Sequence, residues 1–153
     1  MEQVTSKDGT KIVFDRSGEG PPIILVGGAL NTRSFGPNGS LAPLLAEHFT
    51  VINYDRRARD DSGDTPPWAV EREIEDIGAL IEAAGGSASV YGISSGAVLA
   101  LEAASRGSPS RSWRCTRRRL SSTKAAPRLR RITWCGSKGW WRLAAGATRS
   151  GCS

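Results

Sequence analysis

All fifteen Asp and Glu of this chain lie at or before Glu102, and its single histidine, His48, lies earlier still. Residues 1–110 carry nine Lys and Arg against those fifteen acids, a net charge of −6. Residues 111–153 carry twelve Lys and Arg and no acid, a net charge of +12. Four of the five Trp and all three Cys (Cys115, Cys135 and Cys152) fall in that second stretch. A seam near residue 107 therefore splits the chain. Residues 1–107 can form an α/β core, and residues 108–153 are expected to be a basic, irregular, disordered tail.

No apolar run reaches transmembrane length, so no membrane insertion is expected. Met1-Glu2-Gln3-Val4 lacks the basic and apolar regions of a secretory signal, which makes the cytoplasm the expected location. The wide spacing of three cysteines fits no zinc pattern and no disulfide framework.

Before the seam, buried-strand and helix patterns alternate. Val4–Ser6 and Lys11–Phe14 flank Lys7-Asp8-Gly9, a turn signal, and read as a β-hairpin. Ile23-Ile24-Leu25-Val26 is a continuous apolar run, as in a strand covered on both faces. Leu41, Leu44, Leu45 and Phe49 recur at helical spacing, which predicts a helix over Ser40–His48 with Ser40 near its cap. Thr50–Tyr54 is a second buried strand. Pro66-Pro67 opens a longer helix with Val70, Ile74, Ile77, Leu80 and Ile81 on one face, ended by Ala84-Gly85-Gly86. Ser89-Val90-Tyr91 is a third strand, and Ser95–Ser105 is a helix of small residues. The order predicts a mostly parallel α/β sheet with helices on both faces.

Gly92-Ile93-Ser94-Ser95-Gly96 joins the third strand to the last helix. A G-x-S-x-G turn at such a junction exposes its serine, and small neighbours let the backbone pack closely. Ser94 is the candidate nucleophile. The helix N-terminus behind it favours a developing oxyanion, with the backbone N–H of Ser95 as one donor.

These residues resemble the α/β-hydrolase superfamily over roughly residues 2–107. Ile24-Leu25-Val26-Gly27-Gly28-Ala29-Leu30 resembles the strand that ends in His-Gly before the oxyanion loop, with Gly27 where the family often has His. Tyr54–Gly63 resembles the family's Tyr-Asp-x-Arg-Gly-x-Gly-x-Ser loop, with Ala58 and Asp60 replacing two glycines. If those positions need positive φ, the loop is strained or displaced. The resemblance implies a truncated α/β-hydrolase fold and hydrolysis of a small ester, thioester or similar acyl substrate. It implies no metal and no organic cofactor. It also implies the backbone amide of Ala29 as the second oxyanion donor.

The same resemblance implies an acid and then a histidine after Ser94. Past Ser94 the only acid is Glu102 and there is no histidine, so no residue is assigned as triad acid or triad histidine. His48 is a helix-end residue, not a base. Ser94 without a base is a weak nucleophile, so this chain is expected to be catalytically incompetent. Without later strands, the strand carrying Ser94 would be an apolar edge prone to aggregation.

Three readings apply to residues 108–153: a nucleic-acid arm, an amphipathic membrane helix, and translation out of frame from about residues 106–111. Pro109, Pro127 and scattered Gly interrupt the helix. The out-of-frame reading is the most specific. Joining the last base of each codon to the next two lets Arg111–Lys124 yield E-L-A-L-Y-E-A-P-F-I-V-D-E, which resembles the family's strand after the nucleophile helix. Under it, no specific nucleic-acid partner is expected, only non-specific polyanion binding by a +12 segment and aggregation. The alternatives are a non-catalytic α/β binding protein with a basic nucleic-acid- or membrane-binding tail, and an enzyme completed by a second polypeptide.

Overall fold

The computed structural model describes residues 1–107, 110–116, 132–134 and 141–143. A hairpin comes first, β1 (Glu2–Thr5) and β2 (Lys11–Ser17). Gly9 takes φ 87° in its turn, and Thr10 N–H is held by Asp8 at 3.0 Å. There follow β3 (Pro22–Val26), α1 (Pro37–Ala46), β4 (Thr50–Tyr54), α2 (Val70–Ala83), β5 (Ala88–Ile93) and α3 (Ser95–Ser105). Beyond the seam lie β6 (Ser110–Thr116) and a small antiparallel pair, β7 (Ile132–Trp134) and β8 (Trp141–Leu143).

The six-stranded sheet runs β1-β2-β4-β3-β5-β6. β2 meets β4 antiparallel, while β4, β3, β5 and β6 are mutually parallel. This is the α/β-hydrolase type of sheet expected from the sequence. The apolar strands supply both faces by alternation. Ile24, Val26, Ile52, Tyr54 and Val90 pack with Ile74, Ile77, Leu80 and Ile81 of α2 and Leu99, Ala100 and Ala103 of α3. Ile23, Leu25 and Val51 pack on the other face with Ala42 of α1 and with Leu45 and Phe49. α1 therefore covers one face, and α2 and α3 cover the other.

Three local expectations are corrected. α1 begins at Pro37 instead of Ser40, because the fixed φ of proline suits the first helical turn and Gly36, at φ 111°, sets the entry. Leu44 and Val70 are exposed, not core-facing. The tail is not irregular throughout: β6 pairs in parallel along β5, from Ala88↔Ser110 to Ile93↔Thr116. The strand bearing Ser94 is thus an interior strand. Unpaired N–H and C=O groups along β5 favour a neighbouring strand, and Trp, Cys and Thr tolerate extended backbone. A register shift at Ala88/Ser89 accommodates one extra residue on β6. Apart from β7 and β8, the rest of the tail lies outside the described residues.

Candidate active site

β3 and β5 are adjacent, yet the helices that follow them, α1 and α3, lie on opposite faces of the sheet. Such a divergence opens a crevice at the carboxyl ends of the two strands. Gly27 and Gly28 follow β3 there, and Ser94 follows β5.

Ser94 has φ 54° and ψ −124°, a conformation that L-residues rarely adopt. Two glycines make the turn possible. A methyl group at Gly92 would lie 2.5 Å from the Gly96 carbonyl oxygen and 2.7 Å from Ala97 Cα. One at Gly96 would lie 2.4 Å from the carbonyl oxygens of both Val26 and Gly27. The backbone of α3 therefore rests directly on the end of β3. Ser94 is exposed, and a methyl group at Gly28 would stand 3.3 Å from its Cβ. Ser95 caps the site from the first turn of α3, and Ala29 lies exposed on the loop after β3.

The loop after β4 carries three arginines, two of which buttress this crevice. Arg56 is buried and grips both carboxylate oxygens of Glu73 on α2, at 2.6 and 2.8 Å. Its Nη1 also donates to the Gly27 carbonyl at 3.3 Å and to Ser95 Oγ at 3.1 Å. Arg59 donates to the Gly28 carbonyl at 2.7 Å. A trans peptide holds its C=O and N–H antiparallel, so anchoring the Gly28 carbonyl also orients the N–H of Ala29. Arg57 points the other way. It forms a fork with buried Asp76 at 2.9 and 2.7 Å and reaches Asp8 at 2.9 Å. Burial opposes the charge on Asp8, but hydrogen bonds from Arg57 and Thr10 hold its carboxyl well below the usual range.

Ala58 and Asp60 do take positive φ, 59° and 45°, so the loop keeps its path and is strained. Ser62 locks it, accepting from Val13 N–H at 2.9 Å and donating to the Asp55 carbonyl at 2.7 Å. The far end of the loop after β3 is pinned by Arg33. Its N–H and Nε hold Asp55 at 2.6 and 2.7 Å, and its Nη atoms reach Asp15, at 2.8 Å, and Asp61. Carboxylate oxygens of Asp55, Asp60 and Asp61 lie within 4.8 Å of one another, but Arg33 already occupies two of the three.

No acid or imidazole among the described residues bonds Ser94 Oγ. Glu102 lies eight residues along α3, about 12 Å up the helix by its rise, where it meets Arg106. His48 lies just before β4, at the end of the parallel sheet opposite to Ser94. The arginines are what the sequence reading missed. The segment 55–63 reads as a solvated charged loop, and only its likeness to the family pattern marks it as more.

The profile of the alpha/beta hydrolase family matches residues 23–150, more than half of the chain and past the seam. Among solved structures, an alpha/beta hydrolase from Sphaerobacter thermophilus is 61% identical with a TM-score of 0.71. That match covers 74% of this chain and 44% of the other. An N-formylmaleamic acid deformylase from Pseudomonas putida S16 is 25% identical with a TM-score of 0.66, covering 74% of this chain and 45% of its own. A thermophilic esterase from Thermogutta terrifontis, 23% identical with a TM-score of 0.66, shares the fold over 80% of this chain and 47% of its own. The chain thus spans less than half the length of the structures it matches. No helix among the described residues is long and apolar enough to cross a membrane. With its parallel sheet, its elbow and its match across residues 23–150, the chain belongs to the alpha/beta hydrolase family.

Proposed function

We propose that this chain carries the nucleophile half of a serine hydrolase acting on small esters, thioesters or similar acyl compounds. The observation that carries this reading is the left-handed Ser94 on a glycine-forced elbow, against Gly28 in the switch-point crevice. Ser94 Oγ attacks the acyl carbon, and the carbonyl oxygen gains negative charge. The Ala29 and Ser95 amides take up that charge, with the first oriented through the Arg59 contact and the second at the α3 N-terminus. A base must accept the Ser94 proton and return it to the leaving group. Neither Glu102 nor His48 can do so from its place in the fold, so this chain alone hydrolyses little or nothing.

The tail is read as a product of a shifted frame. The charge jump from −6 to +12 and the recoverable strand-like string at Arg111–Lys124, whose first six residues fall in β6 beside β5, both support it. A fluorophosphonate reporter tests the catalytic reading. Labelling of this chain is expected at Ser94, absent in Ser94→Ala, and about 10⁴-fold or more slower than in a triad-bearing serine hydrolase. Labelling at the full rate overturns the inactivity, and labelling elsewhere overturns the nucleophile. Sequencing the DNA across codons 100–153 tests the frame. An alternate frame that stays open to an Asp and then a His supports the shift, and early closure overturns it.

A further inference from the structure

Six of the seven arginines in residues 1–107 are ion-paired. Arg16 meets Glu2, Arg33 meets three aspartates, Arg56 meets Glu73, Arg57 meets Asp8 and Asp76, Arg72 meets Glu75, and Arg106 meets Glu71 and Glu102. Arg59 is the exception. It is half-buried, its Nη1 holds the Gly28 carbonyl, and no carboxylate among the described residues reaches it.

Its surroundings oppose its charge. Burial lowers its proton affinity and the neighbouring Arg56 lowers it further, and the opposing pull of Glu73 and Tyr54 does not make this up. The nearest acids are committed elsewhere: both oxygens of Glu73 serve Arg56, and Asp60 turns to Ser34 at 3.4 Å. The backbone on either side is bent at a cost, with Ala58 and Asp60 both left-handed. A strained loop thus holds a partly desolvated cation, with no carboxylate in salt-bridge contact, on the carbonyl of Gly28, where an added Cβ would stand 3.3 Å from Ser94 Cβ. A guanidinium has a second edge suited to the two oxygens of a carboxylate.

We propose that Arg59 is a specificity residue of the Ser94 site and binds the free carboxylate of an acyl substrate, such as the half-ester of a dicarboxylic acid. The proposal rests on the serine-hydrolase reading for its meaning as specificity, but the binding itself does not need catalysis. Because Nη1 remains on Gly28, the bound carboxylate and the reacting acyl group belong to one short molecule spanning Arg59 and Ser94.

The test is a titration of the ¹⁵N-labelled full chain with monomethyl glutarate and with the neutral dimethyl glutarate, followed at the amides of Gly28 and Ala29 and at Arg59 Nε. The half-ester is expected to bind about tenfold or more tightly than the diester. Arg59→Gln is expected to erase that preference, Arg59→Lys to keep part of it, and Ser94→Ala to leave it unchanged. Equal affinity of the two esters for the unaltered chain overturns the proposal, as does a preference that survives in Arg59→Gln. Should Arg59→Gln lose its folded amide spectrum, the comparison of the two esters on the unaltered chain decides alone. Half-ester binding without fluorophosphonate labelling removes the catalytic reading and leaves the anion site. Labelling without half-ester preference does the reverse.

Discussion

Two turns at the carboxyl end of the same sheet reach unfavourable backbone conformations by opposite means. The elbow at Gly92–Gly96 is shaped by missing atoms: its glycines are where two backbones touch. The loop at Asp55–Gly63 has alanine and aspartate at its left-handed positions and is held by added bonds. Ala58 N–H reaches the Gly63 carbonyl, Gly63 N–H reaches the Lys11 carbonyl, and Ser62, Arg33, Arg56 and Arg57 tie the loop to β2, the loop after β3, α2 and the β1–β2 turn. The comparison teaches that a demanding backbone path can be kept either by side chains that are absent or by side chains that hold on. The first way fails when an atom is added, and the second when one is removed.

The largest expected effect comes from unfastening the second turn. Arg57→Met leaves Asp76 buried without its partner, and should cost about 3–5 kcal/mol in the urea unfolding of the full chain. An unchanged midpoint would mean that the fork is not what holds the loop. Gly96→Ala probes the first turn by adding one carbon 2.4 Å from two carbonyl oxygens. About 3 kcal/mol should be lost as α3 is pushed from β3, with the amides of Gly28 and Ser94 shifting together. A loss below 1 kcal/mol would show slack in the contact.

Acid sharpens the contrast further. The folded Asp8 carboxyl titrates below its unfolded value of about 3.9. The unfolded chain therefore binds the proton first, and this stabilisation is present above about pH 4 and drains away as pH falls. Asp8→Asn should flatten the acid limb of stability against pH, whereas an unaltered limb would remove Asp8 from the account. The smallest effect has the opposite sign. Ala58→Gly should raise stability by about 0.5–1 kcal/mol, since relief of left-handed strain exceeds the added chain entropy. A loss would show that Ala58 bears no strain.

How much of this could be read from the residues follows the same division. Ile23–Val26 and Thr50–Tyr54 announce buried strands because water excludes them whatever their neighbours do. The elbow is legible because its requirement is local and falls on five consecutive residues. Arg56 and Arg59 were not legible, since their partners Glu73, Gly27 and Gly28 are distant in sequence and the loop resembles solvated surface. Asp76 gave no sign of burial, as it sits beside the apolar stripe of α2 and only its meeting with Arg57 brings it inside. Ser110–Thr116 has no continuous apolar run, and its strand follows from the open edge of β5 more than from its own residues.

The register shift where β6 joins β5 has a consequence for heredity. Arg111 has no partner on β5, because Ala88 pairs with Ser110 and the next residue, Ser89, with Ser112. A strand that already absorbs one unmatched residue at its entry can absorb a gained or lost codon there without losing the ladder that follows.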